Sequence, residues 1–431
     1  MKRKLPRWVK ISGWTVPLGY ASATVIVGML LPRLEHHLLP GSVSTMSAAS
    51  AMSICSAVAS GMISLTGIVF SLAFVMVQFS ATAYSPRLVL WVARDPVVSH
   101  ALGVFSATFL YALMMLAWVD RAALGKVPMM SGWLVLVLLL ASMGMFIALV
   151  ERIGLLQINR MLTFTGRQGR KAIDELYDPL SSAAADTAPA GYETFPVTQT
   201  LRHAGQPQVI QAIRIAPLVQ LAAASGAVIE LMAAVGDTVL ELTPLLRVRG
   251  ARQPLDEEAL LGAIEAGDER TFEQDPKYAL RLVVDIAIKA LSPAINDPTT
   301  AVQALDQIED LLLCLGRCHL EMGRFPDPQG ELRLVVPFPT WEDFLRLALD
   351  EIRYYGRDSV QVMRRMKALV KSLLEVLPAE RHPALLHWDE RLQGSIARTF
   401  EDVHDKRDAS VADRQGLGIG KQETKASPRP G

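Results

Sequence analysis

The chain has 431 residues, with 43 Lys and Arg against 43 Asp and Glu and a formal net charge of +0. Such a balance supplies no global field for nucleic acid or an acidic partner, and no nucleic-acid role is expected. Three cysteines, Cys55, Cys314 and Cys318, exclude a disulfide framework, and the mean hydropathy of +0.27 is high for a soluble protein.

Four stretches are long and apolar enough to cross a bilayer, which takes about 20 residues. They lie at about 14–31, 52–83, 97–119 and 133–150, and none contains Asp, Glu, Lys or Arg. A charge at the centre of a span costs about 2.5 kcal/mol or more on insertion scales, so their joint absence is a strong signal. The first stretch follows Lys2, Arg3, Lys4, Arg7 and Lys10, as a signal peptide would. Its apolar run reaches Leu31, however, and Pro32, Arg33, Glu35 and His36 make a poor cleavage site, so a retained helix is expected. Glu35-His36-His37 reads as a plain interface loop.

With the N-terminus inside, the inner segments carry Lys2, Arg3, Lys4, Arg7, Lys10, Arg87, Arg94, Arg152, Arg160, Arg167, Arg170 and Lys171. The outer loops carry only Arg33, Arg121 and Lys126. This bias places both termini in the cytoplasm. The expected location is a bacterial inner (plasma) membrane, crossed several times, with the lipid bilayer as first partner.

The second stretch is the odd one. At 1.5 Å per residue it would be about 48 Å long, against a hydrocarbon core of roughly 30 Å. It must tilt, kink near Gly61 or Gly67, or extend into the cytoplasm. Ser53, Ser56, Ser60, Ser64, Gly67, Ser71, Gln78 and Thr82 recur at spacings of three, four and seven and share one helix face. Small residues of this kind let helices approach closely; the same face could instead line an aqueous path. Pro86 ends the helix near Ser85, and Tyr84 and Arg87 suit the membrane interface as anchors.

The rest of the chain reads as an α+β domain. A helix over 152–177 leads to a linker rich in Ala, Ser, Thr, Pro and Gly over 178–207. Alternation around 209–215, then 228–232, 238–242 and 245–248, with a turn at Gly236-Asp237, predicts a small β module. Its hairpin resembles those of biotinyl and lipoyl carriers, but no Lys lies between Gln208 and Leu246 to be modified. Helices are predicted at 255–266, 276–291, 299–320, 341–355, 358–377 and 383–400, with a strand at 332–336. Arg281, Asp285 and Lys289 look like a solvated salt-bridge face.

Between two of these helices lies Ser292-Pro293-Ala294-Ile295-Asn296-Asp297-Pro298. The prolines fix φ, and Asp297, Thr299 or Thr300 can cap the next helix. The loop is expected to be a rigid turn, with a ligand or subunit contact as the alternative. The expected divisions are a transmembrane block over 1–151, an extension and linker over 152–207, the β module over 208–250, a mainly helical domain over 251–403 and a disordered tail over 404–431.

Catalytic and metal constellations are lacking. Cys314, Cys318 and His319 cannot complete a four-ligand zinc site and read as buried helical cysteines. Gly416, Gly418 and Gly420 before Lys421 imitate a phosphate loop but follow no strand. Arg364, Arg365, Lys367 and Lys371 read as an ordinary solvated face, with anionic lipid as the alternative. No cofactor, no metal and no enzymatic activity are expected.

Three groups of residues carry a family resemblance. They are Gln78-Phe79-Ser80 with Tyr84-Ser85-Pro86-Arg87; Gly236-Asp237-Thr238-Val239 with Pro244-Leu245; and Arg270-Thr271-Phe272, Gln274-Asp275-Pro276, Ala290-Leu291-Ser292-Pro293 and Ile295-Asn296-Asp297-Pro298 with Thr300-Ala301. Through them the chain resembles a bacterial family of predicted membrane proteins, the domain of unknown function twenty-two fifty-four, over about 14–400. It departs from the pattern at Thr238 and Leu242, where an aromatic residue and a glycine are expected. The resemblance implies a membrane protein with a conserved extramembrane domain, and Asp275, Pro293, Asn296, Asp297 and Pro298 fall within its most specific stretch.

Two functions are compatible with these features. One is a homo-oligomeric channel or transport-type protein, with the second helix lining the path and the cytoplasmic domain assembling subunits or sensing a ligand. The other is a membrane-anchored scaffold or regulator that binds a protein partner.

Overall fold

The structure, a computed structural model, describes residues 15–38, 46–83, 96–121, 127–154, 158–180 and 191–419. The chain splits into two compact units, Met1–Gln157 and Ile158–Gly431. Tyr84, Pro86 and Arg87 lie outside the described residues, as does the side chain of Thr82.

Among the described residues the first unit has four helices: α1 (Thr15–Leu38), α2 (Ala48–Ala83), α3 (Pro96–Arg121) and α4 (Met129–Gly154). All four are long and apolar enough to cross a membrane. The long second stretch is one unbroken helix of 36 residues. Helix α3 is the hub, in contact with the other three, and it buries Ala101, Phe105, Tyr111 and Ala112. Glycines allow its close approach to α1. A Cβ on Gly103 would lie 2.5 Å from the Tyr20 ring, and one on Gly28 would lie 2.8 Å from the Met114 sulfur.

Several buried polar side chains of this unit are paired, as an apolar surrounding favours. The Thr108 hydroxyl on α3 lies 2.8 Å from Ser142 Oγ on α4 and donates to the Leu138 carbonyl at 3.2 Å. Glu35 corrects the expectation of a plain loop at 35–37. It lies in the last turns of α1, only 4% exposed. Its carboxylate accepts from Met130 N at 2.7 Å, Ser131 N at 3.1 Å and Ser131 Oγ at 3.1 Å. It thus caps the start of α4 from another helix, satisfying amides that have no partner of their own.

The second unit begins with α5 (Ile158–Leu176) and carries two sheets. Among the described residues its strands are β1 (Val197–Arg202), β2 (Gln208–Ile213), β3 (Val228–Leu231), β4 (Thr238–Val239), β5 (Pro244–Arg249), β6 (Ile264–Gly267), β7 (Arg324–Pro326) and β8 (Leu332–Val335). One sheet has the order β1-β5-β3-β8-β7 and the other β4-β2-β6. All pairings are antiparallel except β3 with β8. The helices are α6 (Ile215–Ala224), α7 (Glu257–Gly262), α8 (Pro276–Ala290), α9 (Pro298–Gly316), α10 (Trp341–Tyr355), α11 (Val360–Val376), α12 (His382–Thr399) and α13 (Val403–Ser410).

Several sequence boundaries move. Strand β1 lies in the expected linker, paired along β5 with Leu201 opposite Leu246 and both buried. The supposedly all-strand module contains α6, whose Leu218 and Ala222, four residues apart, are both fully buried. The tail does not lose order at His404. Helix α13 packs on α11, and its Ala409 is fully buried. Beyond it, Asp413 accepts from Gln415 N at 3.0 Å and Gly418 N at 2.6 Å. Of the glycines that imitate a phosphate loop, Gly416 and Gly418 therefore turn around this chain's own carboxylate at positive φ, and Gly420 lies outside the described residues.

Most of two supposedly solvated charge faces makes internal contacts, while Lys371 stays exposed as expected. Arg365 is 3% exposed and binds Asp306 and Glu309 of α9 at 2.9 and 2.5 Å. Arg364 donates to the Asp408 carbonyl, and Lys367 pairs with Asp389. Arg281 joins Asp285 on its own helix to Glu351 on α10.

Leu242 stands at φ 65, at the position where the resemblance leads one to expect glycine. A non-glycine residue in that region is strained by about 1–2 kcal/mol. Its side chain is 67% exposed and gains little from burial. Leu242→Gly is therefore expected to raise the stability of the second unit by about 1 kcal/mol, after the entropy of a freer unfolded chain is deducted. Chemical denaturation of the purified protein measures it, and an unchanged or lowered midpoint would disprove the strain.

Candidate functional site

The stripe on α2 is defined by what packs and what does not. Ala51, Cys55, Val58, Ala59, Met62 and Val69 are buried toward the other helices. Ser53, Ser56, Ser60, Ser64, Gly67, Ser71 and Gln78 are all exposed. A Cβ added at Gly61 or Gly67 would meet nothing within 4 Å. The Ser64 hydroxyl donates to the Ser60 carbonyl at 3.2 Å, on the stripe itself. The serines and Gly67 of the stripe are thus turned away from the buried face of α2, while Thr108, Ser142 and Glu35 make polar contacts within the unit. Sequence spacing identified the face but could not say that it points outward, because both faces of α2 are built from small and apolar residues.

On its packed side, α2 borders an apolar crevice of about 640 Å³ with α3 and α4. Ile54, Cys55, Val58, Met115, Trp133 and Leu136 are among its walls.

The residues singled out in the second unit act at helix starts. Asp275 is 1% exposed and caps α8, accepting from Tyr278 N at 3.2 Å. Arg270 holds its other oxygen at 2.6 and 2.9 Å and lies over the Tyr278 ring. Burial pushes the Asp275 carboxyl above its ordinary pKa, and the adjacent Arg270 charge opposes that shift. Gly236, at φ +90, lies against the same pair; a Cβ there would sit 2.6 Å from Asp275 Oδ2 and 2.7 Å from Arg270 Nη2. Two of the three segments that carry the resemblance therefore meet at one ion pair.

The loop over 292–298 turns tightly. Asp297 N donates to the Ala290 carbonyl, and the Asp297 carboxylate caps α9 through Thr300 N and Thr300 Oγ1. Asn296 takes φ 47, a conformation its short polar side chain tolerates. Pro293 and Asn296 are exposed, Pro298 is half-buried, and Ile295 is 44% exposed. The structure gives Asp275, Arg281 and Asn296 separate partners and does not join them in one catalytic group. Cys314 is half-buried on α9, while Cys318 lies buried just beyond that helix. Burial pushes both thiols up, Cys318 to about 11, which leaves them poor nucleophiles at neutral pH.

Four apolar spanning helices followed by an α+β unit define an integral membrane protein. The chain belongs to the predicted membrane protein family DUF2254, whose pattern matches residues 10–372. It is similar to the uncharacterized proteins Mb1321c of Mycobacterium bovis and Rv1290c of Mycobacterium tuberculosis. Each is 27% identical over 446 residues, which span 98% of this chain and 81% of the relative. No solved structure matches.

Proposed function

We propose that this is a homo-oligomeric channel or transport-type protein of the bacterial inner membrane, with α2 turned toward neighbouring subunits around a path. The observation behind this reading is the outward exposure of the stripe while the opposite face of α2 is buried. In hydrocarbon, serines and glycines gain little from lipid, whereas they permit close helix contact and hydroxyl bonding between helices. A ring of such helices would also present Ser60, Ser64, Ser71 and Gln78 to water. The excess of basic residues on one side supports a cytoplasmic C-terminal unit.

The test has two readouts. Purified protein in nanodiscs is expected to be oligomeric, and reconstituted vesicles are expected to conduct. Ser64→Leu with Gln78→Leu is expected to lower conductance at least about tenfold. Unaltered conductance would remove the stripe from any path, and a monomer would remove the oligomer.

The scaffold reading keeps one specific support, the exposed turn at Pro293–Asn296 with Ile295 at its tip. A co-purifying protein partner lost on Ile295→Asp, with a dry monomeric bundle, would favour it.

A further inference from the structure

Beside the ion pair, the second unit holds a mostly apolar cavity of about 150 Å³. It opens where several elements end. Tyr177 follows α5, Ile213 closes β2, Ala234 and Val235 follow β3, and Pro276 and Lys277 begin α8. Phe325 of β7 and Phe338 beyond β8 complete an aromatic wall, with Tyr177 and Phe338 edge to face at 6.2 Å.

Tyr177 is the anomaly in this wall. It is 4% exposed, yet its hydroxyl has no hydrogen-bond partner among the described residues. Buried polar groups are nearly always paired, and an orphan calls for a partner that is absent. Burial, reinforced by the Asp275 charge, pushes the phenol's ionisation up, so the group is a neutral donor at physiological pH. A neighbouring strained residue helps frame the cavity: Gln274 takes φ 55, and its side-chain oxygen is already engaged by Ile213 N at 3.1 Å. Lys277 is half-buried at the same wall, where its charge also acts on the Asp275 carboxylate.

We propose that this cavity is a binding site for a small apolar molecule with a single hydrogen-bond-accepting head, a carbonyl or carboxylate oxygen that receives the Tyr177 hydroxyl. An engineered cavity of about this volume binds benzene, which sets the scale of the apolar body at roughly one ring. Lys277 adds a positive charge for an anionic head. The site lies entirely in the second unit and stands whether or not α2 lines a path.

The test uses the full chain in nanodiscs with three probes: benzoate, acetophenone and toluene. Benzoate or acetophenone is expected to bind saturably by calorimetry, and the two distinguish an anionic from a neutral head. Tyr177→Phe is expected to weaken that binding about fivefold, the value of one hydrogen bond, without changing toluene. The variant keeps the ring contacts and removes no hydrogen bond, so it should melt at or above the wild-type temperature. Ala234→Met, which fills the cavity, is expected to abolish binding of all three probes. Equal binding of benzoate and acetophenone by Tyr177→Phe would overturn the proposal. So would no saturable binding of either, as expected if water alone serves the hydroxyl. A lower melting temperature for Tyr177→Phe would show that the hydroxyl is already paired, and would overturn it too.

Discussion

Replacing Glu35 with alanine is expected to lower the stability of the membrane unit by about 2–4 kcal/mol, the sum of a lost cap and of donors left unpaired away from water. Glu35 holds two backbone amides and one hydroxyl at the start of α4. Among the described residues nothing else supplies those amides, because a helix cannot bond its own leading N–H groups. Tyr111 depends on the same turn, its hydroxyl donating to the Ser131 carbonyl at 3.4 Å. Glu35→Gln keeps an acceptor oxygen but loses the charge that favours a helix N-terminus, so an intermediate loss is expected. Thermal unfolding of the purified protein in detergent measures both. An alanine variant that melts with the wild type would show that Glu35 is a bystander.

The second large effect is expected at the junction of Gly236, Arg270 and Asp275. Asp275→Ala removes the α8 cap and leaves Arg270 facing a site with no countercharge. Breaking a buried pair by deleting one partner costs about 3–5 kcal/mol, and the side chains here are 2% and 26% exposed. Gly236→Ala is expected to be destabilising by a different route. Its backbone stands at φ +90, and the added Cβ would press on both partners at 2.6 and 2.7 Å. Because the two changes strike one contact, their costs should not add. A double variant as unstable as the sum of the singles, measured by denaturant unfolding, would show that the glycine and the ion pair act independently.

Those two sites differ in how far they could be read in advance. Asp275-Pro276 and Asp297-Pro298 each place a short acceptor just before a proline that can start a helix, and both became caps as that chemistry suggests. The same is true of β3 and β5, whose β-branched and apolar runs lie between turn residues. Gly236 and Arg270 stand 34 positions apart, and no local pattern predicts that they touch. Glu35 next to two histidines looked like an interface loop, because the amides it caps lie 95 and 96 residues away. Arg364, Arg365 and Lys367 looked solvated because their acidic partners belong to other helices. Tyr177 carried no signal, since an unpaired hydroxyl exists only once every neighbour is placed.

By itself the sequence determined that this is a membrane protein with four spanning helices, a capped helical domain and a small sheet. Each of those follows from composition, period and caps within a few turns of chain, and transfer of an uncharged apolar run to lipid does not depend on its neighbours. Only the tertiary structure decided which side of α2 is inside. A helix apolar nearly all round has no preferred face of its own, so Cys55, Val58 and Met62 were selected by the surfaces of α3 and α4. The serines and Gln78 were thereby left pointing out.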